Sequence, residues 1–397
     1  MKPTSQRATH RQASQQQAGF SLIEILVGLA IGLLATLVIM QVFSVFEGQK
    51  RTTTGSGDAQ TNGSIAMYSI EHELKMSGYG LLPSATDSPL GCTTLSPGST
   101  GITSIAPVMI TDGGTGPGAS DSLTIHYAST DSGGVPTQIG GISLTGANDL
   151  TVDNNMGCHV GDVALLVSGT TCNLTNVTGP TDIAVPPVIS GASAVTTTVT
   201  VQSIPAVTAV GDKLSCLGAW VTSIFRVHLN YDPTGATGTA NSQAYMEKAT
   251  DPAVAGDPVV ADIVNIQAQY GISASAGSNQ VTNWVDAVDG QASGNWGPGL
   301  TLTDRHRIKA IRIAVVARNG LYEKGVVTHT CTTAKGVLNK GPCAWDDSNV
   351  DAAPKIDLSN DKLSTDPAND QHWQHYRYRV FETIIPLRNT IWAWSTL

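Results

Sequence analysis

Charge is scarce in this chain. Only 13% of the 397 residues are Asp, Glu, Lys or Arg, and the formal net charge is −9. A chain of that sign offers no general basic surface to a phosphate backbone, so no nucleic acid is expected as a partner. Long Lys/Glu-rich helices are missing, while 41 glycines and many Ser and Thr are present, the composition of a β-rich, loop-rich body. The six cysteines include no Cys-x-x-Cys pair, which removes support for zinc ribbons and thioredoxin-like redox motifs. No Gly-x-Ser-x-Gly elbow and no Gly-Lys-Ser/Thr phosphate loop occurs. His72-Glu73-Leu74-Lys75-Met76 begins like a zinc-protease helix, but Met76 stands where the second histidine belongs, and an exposed helical face is expected instead. Asp347, Asn349 and Asp351 match the first three ligand positions of a calcium loop. Ala352 replaces its glycine and Leu358 its bidentate glutamate, so a solvated acidic loop is expected. Neither a cofactor, nor a metal, nor an enzymatic site is expected.

One stretch departs from this composition. Residues 20–46 form a largely apolar run with a single charge, Glu24. Crossing the hydrocarbon core of a bilayer takes about 20 such residues in a helix. A carboxylate inside the span costs roughly 2.5–3.5 kcal/mol on insertion scales, so Glu24 reads as a functional group with a partner. Residues 1–18 carry Lys2, Arg7 and Arg11 and no acid, which is the flank that stays in the cytoplasm. A secretory cleavage site after the run is missing, and the small residue, Gly19, stands before it instead. The order Gly19-Phe20-Ser21-Leu22-Ile23-Glu24 resembles the class III signal of type IV prepilins and pseudopilins. The resemblance implies that a prepilin peptidase cuts after Gly19 and methylates the new N-terminus at Phe20. It also implies that Glu24 neutralises the N-terminal ammonium of a neighbouring subunit as the subunit leaves the bilayer. Pairing is what makes a buried charge tolerable. Loss of Lys2, Arg7 and Arg11 with the leader takes the net charge from −9 to −12.

Beyond the span, Met67, Ile70 and Leu74 form one apolar helical stripe, Glu71 and Lys75 an i,i+4 pair, and Gly78 and Gly80 a stop. Gly55, Gly57 and Gly63 each cost a helix about 1 kcal/mol relative to alanine, which predicts a weak or broken helix over 52–63. Alternation predicts strands at 122–127, 220–231, 307–318 and 376–385, the last ended by Pro386, with a further strand at 160–167. Residues 263–270 fit a strand or a helix, 232–257 read as loop, and no internal repeat is visible. The six cysteines suit an oxidising compartment and allow 15 pairings. Local closure favours Cys331–Cys343 and Cys158–Cys172, leaving Cys92–Cys216. The first would close an insertion at 328–370, expected to project from the head with Trp345 as an aromatic anchor for a partner.

Several segments resemble the PilW family of minor pilins: the Gly-Asp strand at 161–167, the Ile/Arg/Val strand at 310–318, and above all the ending Tyr-Arg-Tyr-Arg-Val-Phe-Glu-Thr-Ile-Ile-Pro-Leu-Arg-Asn. The resemblance implies an α+β fold, with a long N-terminal hydrophobic helix packed on a β-sheet-rich, loop-rich head. Its plan is a leader at 1–19, a membrane and filament-core half-helix at 20–46, an amphipathic half-helix at 47–80, and a head at 81–397. It further implies a low-abundance subunit that helps to initiate pilus assembly. Its partners would be prepilin peptidase, other minor pilins, the major pilin and a large tip adhesin. Before assembly the protein would sit in the inner membrane with its head in the periplasm, and afterwards in the pilus at the cell surface. A minor pseudopilin of a type II secretion system and a membrane-anchored secreted enzyme are the alternatives.

Overall fold

The computed structural model describes residues 21–81, 91–131, 133–143, 148–155, 157–179, 197–230, 243–345, 354–359 and 372–391. The chain divides into two compact units, residues 1–54 and 55–397. The architecture is α+β, with one long helix, Leu22–Met76, and a β-rich head. In the first unit the helix leaves its large apolar side chains exposed between Leu22 and Phe46. The helix is long and apolar enough to cross a membrane.

The helix runs unbroken through Gly55, Gly57 and Gly63, which corrects the break expected from glycine propensity. Within the second unit, a Cβ built on Gly55 would overlap the Asn319 side chain, and one on Gly63 would overlap the Phe381 ring. Both glycines let the helix approach the sheet closely, and that packing offsets their propensity cost. Gly57 faces open space. The expected stripe is buried, with Ile70 and Leu74 in the main core and Met67 packed against it. Glu71 and Lys75 pair at 2.7 Å, and Gly78 and Gly80 turn the chain at φ of 73° and 79°.

Two antiparallel sheets share that core with the helix. The five-stranded sheet runs Asp257–Ala261, Gln243–Ala249, Trp220–Asn230, Ser122–Ala128, Val108–Thr111. The four-stranded sheet runs Val281–Val285, Ile263–Ser273, Ile308–Arg318, Tyr378–Pro386. The ambiguous segment at 263–270 is therefore a strand. Gln243–Ala249 corrects the loop expected at 232–257. Its Ala, Met, Glu and Lys favour helix, but pairing with Trp220–Asn230 (Val227↔Met246, Phe225↔Lys248) decides it. Ile263–Ser273 and Ile308–Arg318 are buried at every position, because both faces of the sheet are covered. Ala344, Trp345, Ile356, Leu358 and Trp373 pack over the outer face on Val264, Ala314 and Val316. Within the 328–370 insertion, Ala344, Trp345, Ile356 and Leu358 thus lie on the sheet, which corrects the expectation that Trp345 is presented to a partner. The acidic pattern at Asp347, Asn349 and Asp351 falls outside the described residues.

Six further strands close into a barrel. In hydrogen-bonded order they are Thr171–Gly179, Val163–Ser168, Lys213–Gly218, Thr137–Ser143, Asn148–Val152 and Thr197–Val201, and the last pairs back to the first. Thr94–Ser96 adds to the barrel in parallel beside Thr171–Gly179.

The cysteines pair as Cys92–Cys172, Cys158–Cys216 and Cys331–Cys343, with Cα separations of 5.6, 5.2 and 5.7 Å. The third is the short loop that local closure favoured. The other two replace the expected Cys158–Cys172 and Cys92–Cys216. Cys172 is paired in register with Leu95, in the short strand that follows Cys92. Cys158 instead lies before the start of Val163–Ser168, whose other end is registered opposite Cys172 (Val167↔Cys172). A strand's length therefore separates Cys158 from Cys172, well beyond the roughly 7 Å that a bridge tolerates between Cα atoms. Cys216, registered opposite Ala164, lies at the Cys158 end.

Candidate functional site

Gly19 and Phe20 fall outside the described residues. Ser21 opens the helix. Its carbonyl accepts from the N–H groups of Glu24 (2.9 Å) and Ile25 (3.2 Å), and its own N–H donates to Glu24 Oε2 at 3.3 Å. This is half of a capping box, in which an acid three residues into a helix satisfies an orphan donor at the start. Glu24 thus has a local partner next to Phe20, in a segment where no other charge occurs up to Phe46.

The head half of the helix is held by the chain's last described residues. Arg379 donates from Nη1 to Gln60 Oε1 (3.2 Å) and from Nη2 to Ser56 Oγ (3.1 Å). Phe381 fills the notch above Gly63. Ile385 and Leu387 enter the shared core. Asn389 Nδ2 donates to Ser77 O at 3.0 Å and reaches Lys75 O and Met76 O at 3.4 Å, satisfying carbonyls at the helix C-terminus. Every one of these contacts comes from the Tyr-Arg-Tyr-Arg…Leu-Arg-Asn segment that carries the family resemblance.

A partly buried ion pair holds the helix from the other sheet. Lys248 Nζ lies 2.6 Å from Glu73 Oε1, and Ser223 Oγ donates to Glu73 Oε2 at 3.0 Å. Burial raises the Glu73 pKa, but Lys248 and the hydroxyls of Tyr127 and Ser223 outweigh it and leave the carboxyl below its ordinary value. Glu73 is therefore not on the exposed helical face expected of the His72-Glu73 motif. His72 is exposed and Glu73 points into the head.

Sequence reasoning missed the charge at the centre of the four-stranded sheet. Arg312 is buried, its guanidinium lying 5.0 Å from the Trp284 ring centre and 4.5 Å from that of Trp345. Its Nε donates to Gln269 Oε1 at 2.7 Å, and Gln269 Nε2 donates to Asp286 Oδ1 at 2.5 Å. Burial raises the Asp286 carboxyl pKa. Trp345, expected on a partner surface, is buried instead. Its backbone N–H donates to Glu382 Oε1 at 3.1 Å. The reason is the cation: a buried guanidinium needs hydrogen bonds and π faces, and Trp345 supplies one face. The available signal was a lone arginine in an Ile-Arg-Ile strand.

Among the described residues no group of three His, Cys, Asp or Glu side chains could hold a metal.

An exposed apolar helix opened by Ser21 and Glu24, and continued onto a sheet, is the arrangement of a type IV pilin-like protein. The sequence comparisons specify it further. Residues 234–389 match the family described as Type IV Pilus-assembly protein W, and residues 14–40 match the Prokaryotic N-terminal methylation motif. The chain is thus PilW-like over residues 234–389 and prepilin-like over residues 14–40, and the two similarities support a type IV pilin-like role alongside other pilus components. Comparison with curated proteins and with solved structures returns no match.

Proposed function

We propose that the protein is a minor pilin that helps to initiate type IV pilus assembly as a low-abundance subunit of the tip complex. Prepilin peptidase removes residues 1–19 after Gly19 and methylates Phe20. Residues 20–46 hold the chain in the inner membrane, with the N-terminus cytoplasmic and the head periplasmic, until the subunit enters the pilus and reaches the cell surface. Residues 47–80 then carry the head, residues 81–397, on the filament. Its partners are other minor pilins, the major pilin and a large tip adhesin.

The observation that carries this reading is the coincidence of the methylation motif at 14–40 with the assembly-protein match at 234–389 on one chain. The second match favours a pilus over the type II secretion system, and it favours an assembly role over a membrane-anchored secreted enzyme. Glu24 supplies the charge that meets a neighbour's N-terminal ammonium. Intact-mass measurement of the protein from a sheared pilus fraction tests the proposal. A mature chain that begins at Phe20 with one added methyl group is expected, and a chain that begins at Met1 or is absent from the fraction overturns it.

A further inference from the structure

The barrel is built twice from one unit. Val160-Gly161-Asp162 and Val210-Gly211-Asp212 make the same turn, with Gly161 at φ 94° and Gly211 at φ 102°. Asp162 Oδ2 accepts from His159 N, and Asp212 Oδ2 from Ala209 N, both at 2.7 Å. Gly161 N donates to Val177 O and Gly211 N to Ile139 O, both at 2.8 Å. The return bonds match as well: Val177 N to Asp162 O, and Ile139 N to Asp212 O, again at 2.8 Å. Thr175 Oγ1 accepts from Ser203 N as Thr137 Oγ1 accepts from Asn154 N, each at 3.1 Å. Ile139 pairs with Val152 as Val177 pairs with Val201, and a register shift follows each.

These equivalences superpose a hairpin, a turn and a strand on a second hairpin, turn and strand. Thr137–Ser143 corresponds to Thr171–Gly179, Asn148–Val152 to Thr197–Val201, and Val163–Ser168 to Lys213–Gly218. The last two pair with each other antiparallel, as elements related by a two-fold axis must. The corresponding pairs Ile139/Val177, Leu150/Val199 and Val152/Val201 are buried together in a core of the barrel's own.

The barrel enters and leaves the head at a single point. Ala128 is paired with Trp220 in the five-stranded sheet. The next residues still touch: Ser129 N donates to Ala219 O and Ala219 N to Ser129 Oγ, both at 3.0 Å. Residues 130–218 therefore stand where a tight hairpin turn would suffice, and insertions are tolerated at such points. The region that matches the assembly family, 234–389, begins beyond them. Outside the insertion, Thr94–Ser96 and the Cys92–Cys172 bridge strap the barrel to the segment that follows the helix, and Leu81, Ile105 and Ala128 of the head are buried against its Leu165, Leu174 and Leu217.

We infer that residues 130–218 are an autonomous, internally duplicated module inserted into a hairpin of the pilin head, and that the helix and its two sheets fold and assemble without it. Assembly is then the work of the scaffold, and the barrel is a displayed module. The assembly half of this inference rests on the minor-pilin reading, whereas the folding half does not.

Two measurements test it. Calorimetry on the full chain in detergent is expected to give two unfolding transitions. Leu150→Ala should lower one by roughly 10 °C, the scale for truncating a buried Leu in a small domain, and leave the other in place. Ile266→Ala should move only the other. A single transition shifted by both substitutions overturns autonomy. In the second measurement, residues 131–217 are replaced by Gly-Ser-Gly-Ser in a Cys92→Ser background. The scaffold transition should persist, and recovery in the pilus fraction should stay within about two-fold of the Cys92→Ser parent, well under a tenfold (about 1.4 kcal/mol) change. Loss of the scaffold transition overturns the folding half. A folded variant missing from pili, while the parent is present, overturns the assembly half. If the wild type is itself missing from pili, the minor-pilin reading fails and calorimetry still decides the module.

Discussion

Gly57 and Gly63 lie on one helix, and the structure assigns opposite signs to the same substitution at the two positions. By helix propensity alone, alanine at either site stabilises by up to about 1 kcal/mol. A methyl group at Gly57 would meet nothing within 4 Å, so Gly57→Ala should realise that gain. At Gly63 the methyl group would overlap three carbons of the Phe381 ring, and the ring is packed against the main core. Displacing a ring or a helix in a packed core typically costs about 1–3 kcal/mol, which exceeds the propensity gain over most of that range. The two variants should therefore differ by roughly 1–3 kcal/mol, with Gly63→Ala the less stable. At about 2–4 °C per kcal/mol in domains of 150–250 residues, the gap is several degrees in thermal midpoint. Differential scanning calorimetry of the full chain in detergent reads it. Phe381→Leu in the Gly63→Ala background should return part of the loss, a coupling that only residues in contact show. If Gly63→Ala is as stable as Gly57→Ala, the glycine is not there to admit Phe381 and the close-approach argument fails.

The ends of the chain were more legible than its middle. Gly19, Phe20 and Glu24 stand in an order that needs no folded context, because their chemistry concerns a bilayer and a peptidase. Ile70 and Leu74 were readable because a half-buried helix writes its period into the sequence. Gly55 and Gly63 misled, because propensity counts what glycine costs the helix and not what its missing methyl admits from a distant strand. Ile263–Ser273 was ambiguous for a related reason: a strand covered on both faces loses the polar alternation that marks a half-buried one. Residue type alone puts Arg312 and Trp345 on surfaces, and only the three-dimensional sandwich shows why a cation and an indole are buried together. The duplication left a single local trace, Val-Gly-Asp at 160–162 and 210–212. Apart from the hydroxyls of Thr137 and Thr175, backbone hydrogen bonds hold the rest of the repeat, and these accept almost any side chain. Disulfide pairing followed strand register, which the spacing of Cys158 and Cys172 does not encode.

Three further outcomes test other parts of the molecule. Glu24→Gln keeps an acceptor for Ser21 N but deletes the charge, so membrane insertion should persist while recovery in the pilus fraction falls; undiminished recovery would reduce Glu24 to a helix cap. Trp345→Ala strips one face from the buried Arg312 guanidinium and should destabilise the head by about 3 kcal/mol, the lower end for truncating a buried aromatic; an unchanged thermal midpoint would show that Trp345 is not packed on the four-stranded sheet as described. The last concerns Asp121, buried beneath the loop that precedes Ser122–Ala128. Burial pushes its carboxyl from 3.8 up to about 7, with Asp112 and Asp286 adding repulsion, although the N–H groups of Gly113 and Ala268 bond to it at 3.0 and 2.8 Å. The folded value exceeds the unfolded one, so the group's contribution is complete below pH 3.8 and is lost as pH rises to about 7. A raised carboxyl loses about 1.4 kcal/mol per pH unit across such a window. Urea midpoints between pH 4 and 7 should therefore fall more steeply with pH in the wild type than in Asp121→Asn, because titrating groups that do not face Asp121 are common to both and cancel, while Asp112 and Asp286 lose only its repulsion. Parallel curves would mean that Asp121 stays ionised in the folded head, held by its two N–H donors against the burial that opposes them.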